Sequence, residues 1–175
     1  MLNRHAMHFD ASLQLHDMGD ATFRILVLPI DLDTALRAQN VERVVVTLNE
    51  RLDWHAPLLS LGEDRGRYVV VSAERRKALG LQDGETVRVH LREDTSTYGM
   101  PVPEEWTSML EEEPALRPLF DALTPGQQRR LLYHVGKPKR EATRIKKAVG
   151  AADYLLRVGP ENFDSATLPT WSPQR

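Results

Sequence analysis

Eight basic side chains crowd into residues 129–147: Arg129, Arg130, Lys137, Lys139, Arg140, Arg144, Lys146 and Lys147. At this density, ammonium and guanidinium groups attract anions, either a phosphate backbone by counterion release or an acidic protein surface by direct pairing. At helical spacing Arg140, Thr143 and Lys147 share one face, flanked by Arg144 and Lys146. These five are the candidate partner-binding residues. A second arrangement competes for the same charges, because Glu104, Glu105, Glu111, Glu112 and Glu113 lie just upstream. The basic face would then neutralise a neighbouring acidic helix, or stand solvated, and bind nothing. Residues 101–126 hold one basic and six acidic side chains and residues 127–150 eight basic and one acidic, so the net charge of −2 conceals a sharp division.

Other chemistries find little support. The six histidines include His5 and His8 near the N-terminus and His16, His55 and His90 on expected strands. A zinc site needs three or four ligands converging with outer hydrogen-bond support, and the spacing implies no convergence. Asp33-Thr34-Ala35 resembles the aspartic-protease loop, but that chemistry needs two carboxylates sharing a proton. The internal counterpart of this stretch is Arg76-Lys77-Ala78. Gly-rich phosphate loops, nucleophile elbows and Glu-x-x-His patterns are missing from the sequence. With no cysteine, the chain has no disulfide framework and no thiolate chemistry. No catalytic, cofactor-binding or metal-binding residue is expected, and no enzymatic activity.

The elements that must position the basic face fall into two regimes. Up to about residue 94 the hydrophobic period is two, with strands expected over 9–16, 23–28, 43–48, 52–61, 69–71 and 86–91. Within VVVSAERRKALGLQDGETVRVHL, residues 69–91, Ser72 stands as N-cap, Gly80 as the helix stop and Asp83-Gly84 as a turn. The unit recurs. Sliding the sequence by 43 residues sets Val27-Leu28 on Val70-Val71, Ala35-Leu36 on Ala78-Leu79, and Val44, Val46 and Leu48 on Val87, Val89 and Leu91. Two strand-helix-strand units that bury each other's apolar faces imply a duplicated, closed β-barrel over 1–96. With both halves in one chain, a monomer is expected.

Beyond the Pro-rich linker at 95–103 the period becomes helical, giving an α+β chain with a small C-terminal helical module over 101–160. Trp106, Met109 and Leu110 form one apolar stripe, and Leu131, Leu132 and Val135 another. Ala142, Ile145, Ala148, Val149, Ala152, Leu155 and Leu156 form the stripe of the last helix, which Gly159-Pro160 stops. Thr124-Pro125-Gly126-Gln127 spells a capping box. Residues 161–175 read as a flexible tail with little to bury. MLNRHAMHFD has no apolar secretion core and no stretch reaches membrane-span length, so a cytoplasmic location is expected.

Residues 8–94 resemble a bacterial β-barrel domain family of unknown function, and VSAERRKALGLQDGETVRVHL also looks like the swapped-hairpin motif of AbrB-type regulators. PEEWTSMLEEEPALRPLFDALTPGQQRRLLYHV and KREATRIKK, within residues 101–159, resemble the YdeI family of OmpD-associated, bacteriocin-protection proteins. That family usually has Glu-Thr-Arg contiguous; here Ala142 intervenes between Glu141 and Thr143. The resemblance implies a double-psi or AbrB-like barrel fused to a YdeI-like module, with resistance to cationic antimicrobial peptides arising through a protein partner. The expected function is therefore a non-catalytic protein-interaction module without cofactors. The AbrB-type motif supplies the alternative, a nucleic-acid-binding regulator using the basic helix.

Overall fold

The structure is a computed structural model and describes residues 7–62 and 65–168. The chain divides into two compact units, Met1–Thr95 and Ser96–Arg175. His5 and residues 169–175 of the expected tail lie outside the described residues.

Unit 1 runs β1 (Met7–Ser12), β2 (Gln14–Asp17), β3 (Thr22–Val27), α1 (Ile30–Ala38) and β4 (Arg43–Leu48), then β5 (Leu52–Pro57), β6 (Leu59–Ser60), β7 (Arg67–Val70), α2 (Ala73–Leu79) and β8 (Thr86–Glu93). Its strands form two antiparallel four-stranded sheets, ordered β1-β8-β4-β5 and β2-β3-β7-β6. The expected single closed barrel is not what these ladders form. The expected strands 9–16 and 52–61 each break in two, at Leu13 and Leu58, and pass from one sheet to the other. At each break the backbone pairs elsewhere: the Leu13 N–H donates to Glu85 O and the Leu58 N–H to Glu42 O, both at 2.9 Å. Both leucines are buried in one core fed by both sheets, with Leu26 and Val69 from one and Val44, Val46, Val89 and Leu91 from the other.

The ladder registers place the 43-residue repeat about a twofold centre. Leu26 pairs with Val69, and Thr47 with His90, so repeat-equivalent residues face one another in both sheets. The symmetry also reaches strands where the sequence repeat is silent. Phe9, Ala11 and Leu13 occupy the places of Trp54, Ala56 and Leu58, an offset two residues longer than in the helical half. Cap chemistry follows the sequence in the second copy: Ser72 Oγ accepts from the Arg75 N–H at 3.3 Å, and Gly80 closes α2 at φ 69°. The first copy has Pro29 at the N-cap and no side-chain cap bond.

Unit 2 contains α3 (Glu104–Glu112), α4 (Leu116–Asp121), α5 (Pro125–Gly136) and α6 (Glu141–Val158), followed by a 3₁₀ turn at Pro160–Asn162. Thr124 and Gln127 form both hydrogen bonds of the capping box that starts α5. Trp106 and Phe120 are fully buried and in tilted ring contact, with centroids 5.3 Å apart. The stripe expected on α6 is rotated. Ala148, Ala151, Ala152 and Leu155 are buried, whereas Ala142, Ile145 and Leu156 are exposed. Small side chains let α6 approach its neighbours closely, so alanines take the centre where the sequence suggests larger residues. Residues 161–168, expected to have little to bury, place Phe163 and Leu168 in this core, and Gln127 Nε2 donates to Phe163 O at 2.9 Å.

Candidate functional site

The basic residues divide into two groups. Arg144 is enclosed. Its Nε donates to Glu105 Oε1 at 2.7 Å, and its Nη1 donates to the carbonyls of Lys139 and Pro138 at 3.1 and 3.4 Å. The guanidinium thus ties α3 to the loop between α5 and α6 and fills that loop's otherwise unsatisfied acceptors. Glu105 lies partly buried, and burial acts to raise its carboxyl, but its backbone hydrogen bond and Arg144 outweigh that and hold it below the usual range. The expected neutralisation of basic by acidic helix is therefore real, and confined to this one pair among the described residues.

Lys139, Arg140, Thr143 and Lys146 are exposed, Lys147 is half-buried, and none of the four cations pairs with a described carboxylate. Arg140 is the N-cap residue of α6 in an extended conformation, without a side-chain cap bond. Lys137 reaches over the Tyr133 ring, with Nζ 5.4 Å from its centroid. Beside them lies a groove of about 400 Å³ lined by Val102, Pro103, Tyr133, Gly136, Lys137 and Arg144, with Glu104 and Glu105 also on its wall. Its floor is tightly built, since a Cβ on Gly136 would stand 2.9 Å from Pro103 Cγ. Val102 and Tyr133 expose apolar surface here. Sequence reasoning missed both, because neither belongs to a stripe.

Residues 99–157, which carry this face, match the family model described as bacteriocin-protection, YdeI or OmpD-associated, OmdA. Unit 2 is similar to OmdA. Residues 9–91 match the model of a domain of unknown function, DUF1905. A search of curated proteins returns no significant match. The OmdA-like unit thus contains all five candidate residues, with Arg144 holding the loop from which Arg140 projects.

The described histidines of unit 1 do not converge on a metal geometry. Among the described residues no three His, Asp or Glu side chains meet as ligands. His8 and His90 are cross-strand partners and stack at 4.3 Å, while His55 Nδ1 lies 2.9 Å from Asp94 Oδ2. Asp33, set aside on sequence grounds, is buried and paired with Arg67 and Arg37. Each of its two oxygens accepts from a guanidinium group, which suits a structural clamp. Among the described residues, no helix is long and apolar enough to cross a membrane.

Proposed function

We propose that this chain is a non-catalytic interaction protein that acts as a monomer in the cytoplasm. Unit 1 is the platform, with its two sheets taken as the halves of one interlocked, barrel-like shell around a common core. The OmdA-like unit presents Arg140, Thr143, Lys146 and Lys147 to an acidic surface of a protein partner. The observation that carries this reading is the division of labour at α6: Arg144 is used internally, while Arg140, Lys146 and Lys147 reach no described carboxylate. Cations fixed on an ordered helix lose less freedom on binding than those of a loose tail. The role in bacteriocin protection that names the family agrees with a partner-dependent activity.

Nucleic-acid binding is the second reading. The test replaces Arg140, Lys146 and Lys147 by glutamine, which keeps helix propensity. A protein retained by the unmodified chain should be lost by this variant, and duplex binding should stay weak in both. Sub-micromolar duplex affinity near physiological salt, abolished in the variant, would transfer the function to nucleic acid.

A further inference from the structure

A second groove, of about 300 Å³, runs between α3 and α6 and has the opposite charge. Its lining is Glu104, Glu105, Ser108, Met109 and Glu112 from α3, with Glu141, Ile145 and Ala148 from α6. On α3 residues 105, 108, 109 and 112 share one helical face, as do 141, 145 and 148 on α6. The groove thus combines the apolar side chains Met109, Ile145 and Ala148 with four glutamates, of which Glu105 is already held by Arg144.

Three observations mark this as more than solvated surface. Ile145 is 47% exposed although it lies beside the buried seam of α6. Glu104, Glu112 and Glu141 pair with no described cation, and no basic residue lines the groove. Local helix stability accounts for Glu104 and Glu141, which begin their helices. It does not account for Glu112, which ends α3, where the helix dipole disfavours a carboxylate and no basic residue is present.

We propose that the α3–α6 groove docks a cationic amphipathic helix, whose aliphatic side chains cover Met109 and Ile145 while its lysines or arginines meet Glu104, Glu112 and Glu141. Two helices offering an apolar trough is the geometry of helix-in-groove recognition. The three unpaired glutamates, Glu104, Glu112 and Glu141, select the sign of the occupant by charge complementarity and disfavour anionic partners. The two grooves share Glu104 and Glu105 on α3, but the α6 residues here, 141, 145 and 148, lie on a different face from Arg140, Thr143 and Lys147, so α6 carries contacts of opposite charge on different sides. The outcome for one does not decide the other.

The test measures fluorescence anisotropy of a labelled synthetic helix of leucine and lysine at amphipathic spacing, against a scrambled peptide of the same composition. The full chain should bind the ordered peptide with a dissociation constant on the order of 10 μM, and the scrambled one at least several-fold more weakly. Replacing Glu104, Glu112 and Glu141 together by glutamine should weaken binding roughly tenfold, which corresponds to about 1.4 kcal/mol. Ile145→Ser should weaken it with every charge retained, and the glutamine variant at Arg140, Lys146 and Lys147 should bind the peptide as the unmodified chain does. Thermal melts check that each variant is folded. Equal binding of ordered and scrambled peptides, or binding indifferent to both sets of groove changes, would overturn the proposal. Self-association of the chain, lost in the triple glutamine variant, would overturn it too, by making a second copy the occupant.

Discussion

Arg24 and Arg67 occupy equivalent places in the two repeats, and each crosses to the other repeat for its carboxylate. Arg24 on β3 donates through Nε and Nη2 to both oxygens of Asp83, at 3.0 and 2.9 Å. Arg67 on β7 donates to Asp33 on α1 and, through Nη1, to Val41 O at 2.7 Å. The two clamps differ in exposure. The Asp83 pair lies at the surface, whereas the Asp33 and Arg67 side chains are 2% and 5% exposed. Arg76 stands where the second repeat would need a counterpart of Asp33, so the carboxylate there comes from the turn after α2 instead.

Asp33→Asn should therefore cost unit 1 about 3–5 kcal/mol, because it leaves a buried guanidinium without its counter-charge. Asp83→Asn should cost far less, since water can replace the lost partner. Urea unfolding followed by amide exchange in β3 and β7 compares the two variants, and equal losses would remove the distinction. Burial alone would raise the Asp33 carboxyl, but Arg67 and Arg37 outweigh it and hold it below the usual value. Its stabilisation is then fully present above the unfolded carboxyl value of about 3.9 and drains away as pH falls through the lower folded value.

His90 gives a second pH dependence, at a higher range. Its imidazole is held below 6.5 first by burial, then by the charges of His8 across the ladder and Arg92 on its own strand, with Asp53 on β5 opposing them. Thr47 on β4 completes its cross-strand neighbours. The unfolded chain takes up a proton near pH 6.5, and the folded one only at lower pH, so the unfolded state binds more protons in between. Stability should fall as pH drops through that interval. His90→Gln should flatten this part of the curve, read as melting temperature against pH; a variant tracking the unmodified chain would exclude His90 as the source.

Gly136→Ala tests how closely α5 seats on Pro103. A methyl group there meets the proline ring at 2.9 Å, and the ring cannot swing aside. The expected cost is about 1–3 kcal/mol, the usual range for overpacking. A neutral or stabilising result, from the helix propensity gained over glycine, would mean that the 100–105 segment yields.

A fragment of residues 1–95 should fold cooperatively by itself, because its core draws only on its own two sheets. Near-UV circular dichroism distinguishes this from a molten chain. Light scattering on the full chain should give its monomer mass of 19.9 kDa, and twice that mass would point to exchange of repeats between chains.

Much of this was legible in the residues, for reasons that also define what was not. Ser72, Gly80 and the Thr124 capping box were readable because caps act over three or four residues. The repeat was readable where strands are apolar at every second position, from Val44 to Leu48 and Val87 to Leu91. It was hidden in β1 and β5, where a two-residue difference shifts the frame and only Phe9 and Trp54, Ala11 and Ala56, and Leu13 and Leu58 correspond. The sheet switch at Leu13 left no mark, because a buried leucine suits a continuous strand equally well. At the candidate site the charges were visible, but which of them is engaged within the unit, Arg144, and which reach no described carboxylate, Arg140, Lys146 and Lys147, depends on where α3 brings Glu105. Periodicity within α6 carries no such information.

The outer ladder of unit 1 joins the two ends of its chain. β1 pairs along its whole length with β8, Phe9 opposite Val89 and Ala11 opposite Val87. Both sheets draw strands from both repeats, so neither repeat owns a complete sheet. On the ribosome β2–β3 and β4–β5 can pair early, but β1 and the second edges of β3 and β4 must wait for β7 and β8, several seconds at roughly 5–20 residues per second. Closing so long a loop costs entropy before any contact repays it, which places unit 1 among slow folders. The helices of unit 2 are under no such constraint, since each forms from neighbouring residues. Although synthesised after unit 1, they are positioned to reach their native contacts at a faster rate than the sheets that precede them.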